Sequence, residues 1–328
     1  MNFKTVLNAT LLCFLLISSL GCSQLKGGKT LKLAHGLNED HPVHKGLEFM
    51  ARRVAEKSGG QLRIEIYPNQ QLGTERQCLE LLQIGSLAMT KVSGAVMENF
   101  APKMQVLSLP YIFRNMEHAH KVFDGIIGRD LLKESERYWL RGLTFFDAGQ
   151  RSFYTKDRPV NRPSDLKGLK IRVQESASAM ELVRLLGGAP TPISWGELYT
   201  ALQQGVVDGA ENNPPSFYTS HHYEVCKYYS LDEHTAVPDI LVIGTVAWNN
   251  LSSQEQQWLQ EAADEAALEE RKLWQAAEVQ ALAAVKKAGV KVIRPAKEPF
   301  IQKTKSMFEE YENDEEIYSL IQNIQAVQ

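Results

Sequence analysis

Between Lys170 and Asn213 the apolar pattern switches from the period of a strand to that of a helix and back. That confines the stretch to alternating strands and helices. Leu169-Lys170-Ile171-Arg172-Val173 alternates apolar and cationic side chains, so Lys170 and Arg172 are expected on one face of a strand. Ser178 and Glu181 have capping-box spacing, Leu182, Leu185 and Leu186 continue a helix, and Gly187-Gly188 ends it. Pro190-Thr191-Pro192-Ile193 is an extended connector, because each proline pushes its predecessor out of helix. Ser194 and Glu197 cap a second helix, with Trp195 in its first turn, running through Leu198, Tyr199, Ala201 and Leu202 to Gly205. Val206 to Glu211 returns as a short strand, and Asn212-Asn213-Pro214-Pro215 breaks into a loop.

Such a unit is α/β, and open α/β sheets hold ligands where their strands end. Arg172 and Asn212 stand there. A guanidinium presents paired donors in a fixed fork that suits a planar carboxylate. The alternative is that Arg172 pairs with an internal acid and Asn212 only forms a turn.

These residues carry a family resemblance. Leu166-Lys167-Gly168-Leu169-Lys170-Ile171-Arg172-Val173, Pro190-Thr191-Pro192, Glu197-Leu198-Tyr199-Thr200-Ala201-Leu202-Gln203 and Val207-Asp208-Gly209-Ala210-Glu211-Asn212 resemble the central block of the substrate-binding proteins of TRAP transporters. These transporters are tripartite, ATP-independent periplasmic uptake systems for organic acids. The resemblance extends to Tyr67-Pro68-Asn69-Gln70-Gln71-Leu72-Gly73 and covers nearly the whole mature chain. It implies a two-lobed periplasmic binding protein fold with a long helix bridging both lobes.

Met1 to Ser19 reads as a secretory signal, with Lys4 in a positive n-region and an apolar run from Val6 to Ile17 too short to span a bilayer. Ser19-Leu20-Gly21-Cys22 resembles a lipoprotein cleavage site that would leave Cys22 lipidated; ordinary signal peptidase cleavage nearby is the alternative. The expected division is a signal over residues 1–21, a tether over 22–30, one lobe from 31–148 with 238–277, and another from 149–237 with 278–328. Periplasmic location follows from that export signal.

The mature chain opens with strand Leu31-Lys32-Leu33-Ala34-His35, a helix from about His41 to Lys57, strand Leu62 to Tyr67 and a helix capped by Thr74. This rhythm predicts a parallel sheet with crossover helices. His35 and Glu75 stand at two strand-to-helix junctions; the alternatives are a hydrogen-bonded structural histidine and a first-turn acid favoured by the helix dipole. Leu143 to Phe146 is a strand, and Gly149 could let the chain pass between lobes, with Arg151 just beyond. By the resemblance, the Gly-x-Arg of Gly149 and Arg151 sits at that crossing, and Arg151, Arg172 and Asn212 form an anion clamp. Ile240 to Ile243 is a strand returning to the first lobe, and Ser252 with Glu255 launches a helical pattern to Lys287, about 50 Å if unbroken. Glu298 to the C-terminus supplies closing helices.

A net charge of −3 with no basic tract gives no footprint for nucleic acid. With Cys13 in the signal and Cys22 at the cleavage site, Cys78 and Cys226 remain, expected as buried free thiols. Gly27-Gly28-Lys29-Thr30 lacks the first glycine of a phosphate loop, and the close histidine pairs lack a third ligand. The expectation is a monomeric binder, not an enzyme, without cofactor or metal.

Two arginines on one carboxylate leave excess positive charge in a closed cleft. Glu75 is expected to compensate it while accepting hydrogen bonds from hydroxyls, which favours a hydroxylated monocarboxylate over a dicarboxylate. Trp195 offers a flat face to a sugar ring or serves as a core aromatic; the matching family position is often aromatic and lines the pocket. Arg172-Val173-Gln174-Glu175-Ser176 and Asn212-Asn213 most resemble members assigned to hexuronates. Sialic acid, a keto sugar acid or a C4-dicarboxylate are alternative ligands, and a sugar-acid enzyme is the different-class alternative.

Overall fold

A computed structural model describes residues 28–328. The signal, Cys22 and most of the tether lie outside the described residues. The tether's last two residues, Lys29 and Thr30, already belong to the first strand, two residues ahead of the expected start.

Among the described residues eleven strands form two sheets. They are β1 (Lys29–Ala34), β2 (Leu62–Tyr67), β3 (Met89–Ser93), β4 (Leu140–Phe146), β5 (Arg151–Thr155), β6 (Lys170–Val173), β7 (Ala189–Pro192), β8 (Gly209–Asn212), β9 (Tyr228–Thr235), β10 (Asp239–Gly244) and β11 (Lys291–Ile293). The first sheet has the order β2-β1-β3-β10-β4 and the second β11-β9-β5-β8-β6-β7. The expected crossover rhythm appears in the first sheet, where β1 runs parallel to both β2 and β3 with helices Pro42–Lys57 and Glu75–Gln83 between them. In its centre β10 lies antiparallel to β3 and β4.

The chain leaves the first sheet after Phe146, enters the second at Arg151, and returns between Thr235 and Asp239. The registers Asp239↔Phe146 and Arg151↔Thr235 set these two crossings side by side. The helix Ser253–Lys287 spans 35 residues, capped by the Ser252–Glu255 box the sequence announces. Its buried stripe of Leu259, Ala262, Ala263, Ala266, Ala267, Glu270 and Trp274 recurs every three to four residues, and the alanines admit close approach. It packs on helix Pro42–Lys57 and β4 of the first half and on helix Pro214–Thr219 of the second, bridging both.

Some expected details shift. Ser176, not Ser178, caps helix Ala177–Leu185, accepting from the Ala179 N–H. The proline connector pairs in parallel with β6 as strand β7, at the sheet edge, where proline's missing donor is tolerated. The closing helix Glu315–Ala326, expected with residues 278–328 in the second lobe, packs on first-half elements. His118 Nε2 donates to the Ile324 carbonyl at 2.9 Å, and Arg114 Nη1 to Gln325 at 2.8 Å. Its apolar stripe of Ile317, Ile321 and Ile324 is buried there. Cys78 and Cys226 are buried free thiols, as expected, held up to about 11 and about 12 by burial.

Candidate functional site

A cleft between the sheets takes its walls from the ends of β1, β3 and β10 on one side and β5, β6 and β8 on the other. Its empty space is about 640 Å³, mouth included. Arg151, Arg172, Asn212, Glu75 and Trp195 all line it.

Arg172 is 2% exposed on β6. Its Nε donates to the Ile193 carbonyl at 2.8 Å, and the guanidinium lies 5.7 Å from the centre of the Trp195 ring. Its Nη1 is buried without a hydrogen-bond partner. Burial draws its pKa below the ordinary arginine value. Trp195 is half-buried, edge-on to His222, and touches the apolar clusters of both halves.

Arg151 is differently committed. The antiparallel register of β5 with β8 sets it beside Glu211, which it meets through Nε at 2.6 Å and Nη2 at 2.8 Å; its Nη1 donates to Asn212 Oδ1 at 2.9 Å. Burial pushes the Glu211 carboxyl up, but Arg151 and then His234 pull it down to about 2. His234 leans on Asp232 at 2.7 Å, and though burial opposes its charge, Asp232 raises its pKa to about 9.

A third cation was not singled out in the sequence. Lys91, in the middle of fully buried β3, lies 3.1 Å from both Glu75 Oε1 and Asp239 Oδ2. Glu75 also accepts from the Ser93 N–H at 3.2 Å. Burial, opposed by Lys91 and reinforced by Glu75, raises Asp239 to about 6.

The expected charge balance is therefore corrected. Glu211 neutralises Arg151, and Glu75 is committed to Lys91, so among the described cations lining the cleft only Arg172 lacks an anionic partner.

His35 is corrected too. It does not line the cleft; its Nδ1 accepts from the Leu37 N–H, so its Nε2 donates to His44 Nδ1 at 2.9 Å. Burial, then Lys91 and His44, hold it neutral at about 3. His41 reaches the cleft instead, its Nε2 donating to Ser216 Oγ at 3.1 Å across it. That pairing needs the fold, whereas Lys91 left a trace: a lone lysine inside an apolar strand.

The halves are clasped. Gly196 N–H donates to Gln70 Oε1 at 3.2 Å, Ser93 Oγ to Gln174 Oε1 at 3.3 Å, Asn38 Nδ2 to the Thr219 carbonyl at 2.6 Å, and Ser176 Oγ to Glu98 Oε1 at 2.6 Å. Such an arrangement offers a small anion one buried and unmatched guanidinium.

Residues 33–314 match the bacterial extracellular solute-binding protein family 7, DctP. A Bradyrhizobium TRAP periplasmic solute-binding protein solved with galacturonate superposes with a TM-score of 0.89 at 39% identity, covering 90% of this chain and 99% of that one. One from Chromohalobacter salexigens, solved with D-glucuronate, gives 0.88 at 35%, covering 91% and 100%. The Salmonella typhimurium protein YiiZ, itself uncharacterised, is 38% identical over 92% of both chains. The family is one of binding proteins rather than enzymes, and its extracytoplasmic setting agrees with described residues in which no helix is long and apolar enough to cross a membrane. The two sheets, the long bridging helix and the match over residues 33–314 make this chain a member of the DctP family of TRAP solute-binding proteins.

Proposed function

We propose that this protein captures a hexuronate, glucuronate or galacturonate, outside the cytoplasm and delivers it to a membrane permease. The observation that carries this reading is Arg172: a guanidinium buried without an anion, its Nη1 unpaired, at the wall of a closed cleft. Leaving such a group unmatched is costly, and one carboxylate matches it. A second carboxylate would meet Glu75 and Asp239. The galacturonate and glucuronate held by the relatives from Bradyrhizobium and Chromohalobacter salexigens support the same ligand class.

In this reading Arg172 grips the carboxylate while Arg151 and Asn212 orient it. Glu75 accepts from ring hydroxyls, and Trp195 covers the apolar face of the sugar. The two lobes close because only the closed state brings both walls to the ligand, and a ligand shifts the equilibrium by its differential affinity for that state. Residues 1–21 direct export, Cys22 carries the lipid that tethers the protein, and the unit acts as a monomer.

A thermal-shift screen tests the ligand. Glucuronate or galacturonate at a hundredfold excess over Kd should raise Tm by roughly 5–10 °C, with succinate and sialic acid giving little. A shift confined to succinate would overturn the reading.

A further inference from the structure

Lys91 is an unusual core residue. It occupies the middle of β3, whose five residues are all buried, and is itself 3% exposed. A buried ammonium needs a partner, and one carboxylate suffices. Here two are supplied from separate elements: Glu75 from the first turn of helix Glu75–Gln83 and Asp239 from the start of β10, each 3.1 Å away. Burial raises Asp239 to about 6 against the pull of Lys91, and the neighbouring Glu75 adds to the rise.

This cluster faces the cleft from the first half, while Arg172 faces it from the second. An ammonium has three N–H donors, and the two carboxylates engage two. The third has no partner among the described residues, and Lys91 lines the cleft. Glu75 Oε1 takes Lys91 and Ser93, so its Oε2 remains an acceptor beside that donor. One donor flanked by acceptors matches a pair of neighbouring hydroxyl groups, each of which donates and accepts. A methylene there would leave the donor and acceptors unpaired, and a second carboxylate would face two of its own sign.

We propose that Lys91, clamped between Glu75 and Asp239, is a specificity-determining residue that reads the hydroxyl-bearing end of the ligand opposite the Arg172 carboxylate site. This rests on the reading of the cleft as a hydroxy-acid site. It assigns the ligand's direction: carboxylate toward the second half, vicinal hydroxyls toward the first.

Isothermal titration of the mature protein with D-glucuronate, D-galacturonate and cyclohexanecarboxylate tests it, the last sharing ring and carboxylate but no hydroxyls. Wild type should prefer its hexuronate over cyclohexanecarboxylate by at least ~100-fold. Lys91→Met should cut that ratio at least ~10-fold, because loss of the cation weakens both carboxylates alike while only the hexuronate also loses its hydroxyl contact. Equal loss for both ligands would assign Lys91 to structure alone and overturn the inference, as would an unchanged ratio. Should Lys91→Met fail to fold by circular dichroism, Asp239→Asn takes its place. By relieving the surplus negative charge it should tighten succinate binding at least ~5-fold at pH 8; no tightening would overturn the inference. Wild type that binds neither hexuronate sinks the functional reading itself, whereas hexuronate binding with an unaltered ratio sinks only the role of Lys91.

Discussion

Two arginines that look equivalent in the sequence do opposite work. Arg151 is matched by Glu211 within the protein, whereas Arg172 is buried with part of its guanidinium unpaired. Arg151→Ala should therefore lower folding stability by about 3–5 kcal/mol, because Glu211 would be left buried with only His234, 3.6 Å away, to face it. Arg172→Ala should leave the ligand-free protein as stable or more so, since an unmatched buried charge disappears, while hexuronate binding weakens by about 3 kcal/mol or more. Urea denaturation and calorimetric titration of both variants check the contrast, and an Arg172→Ala protein that binds normally would refute it. Arg172 and Asn212 were readable as candidates because they sit near strand ends within one continuous block, whereas Arg151, outside that block, came from the Gly-x-Arg resemblance. Asp239 and His41 were not readable as site residues, and Lys91 left only the trace of a lone lysine among apolar residues. They come from three distant segments, and what joins them is the antiparallel insertion of β10 beside β3 and the seating of Ser216 opposite His41. For the same reason the sequence could not tell that Glu75 would be spent on Lys91 rather than on the arginines.

At the scale of elements, the crossing between the sheets is the tightest construction. Gly149 has φ of +55°, a left-handed conformation, and a Cβ there would lie 2.8 Å from Trp274 Nε1 on the long helix. Beside it, the Asp147 N–H donates to Glu270 of the same helix at 2.9 Å. Gly149→Ala combines a disfavoured backbone with overpacking and should cost about 2–4 kcal/mol of stability. Chemical denaturation measures this, and a change under about 0.5 kcal/mol would mean the junction has slack. Local rules announced much around it. The Ser252–Glu255 capping box and the stripe that follows gave the long helix to its last turn, and alternating runs gave β1, β2 and β6, while β3, β5 and β9 were not read as strands. What failed were choices between near-equal local signals: Ser176 outcompetes Ser178 as a cap because its hydroxyl meets the Ala179 N–H and also the Glu98 carboxylate from the other half. Likewise a proline-rich connector became an edge strand only because β6 offered it a partner.

At the scale of the whole molecule, the proposed closing would draw on bonds made only when the halves meet. Glu98 sits between β3 and β4 in the chain, yet its Oε1 accepts from Ser176 Oγ at 2.6 Å and from the Ser178 N–H at 3.0 Å at the start of helix Ala177–Leu185. A carboxylate at that position meets free amides and the positive end of the helix dipole, and it is buried, so the contact is stronger than an exposed one. On opening, Ser176 could still cap its own helix, but Glu98 would return to water. The contact therefore favours the closed state without touching a ligand bound at Arg172. Removing it should weaken affinity for every ligand alike, because each must then supply more of the free energy of closure. Glu98→Ala should weaken hexuronate binding by roughly 5- to 30-fold, the equivalent of about 1–2 kcal/mol. The preference among ligands should stay as in wild type, unlike the change expected of Lys91→Met. X-ray scattering should show that the variant contracts to the wild-type closed dimension only at proportionately higher hexuronate concentration. If Glu98→Ala bound with wild-type affinity, closure would be driven by the ligand contacts alone and the carboxylate-to-helix contact would be incidental to it.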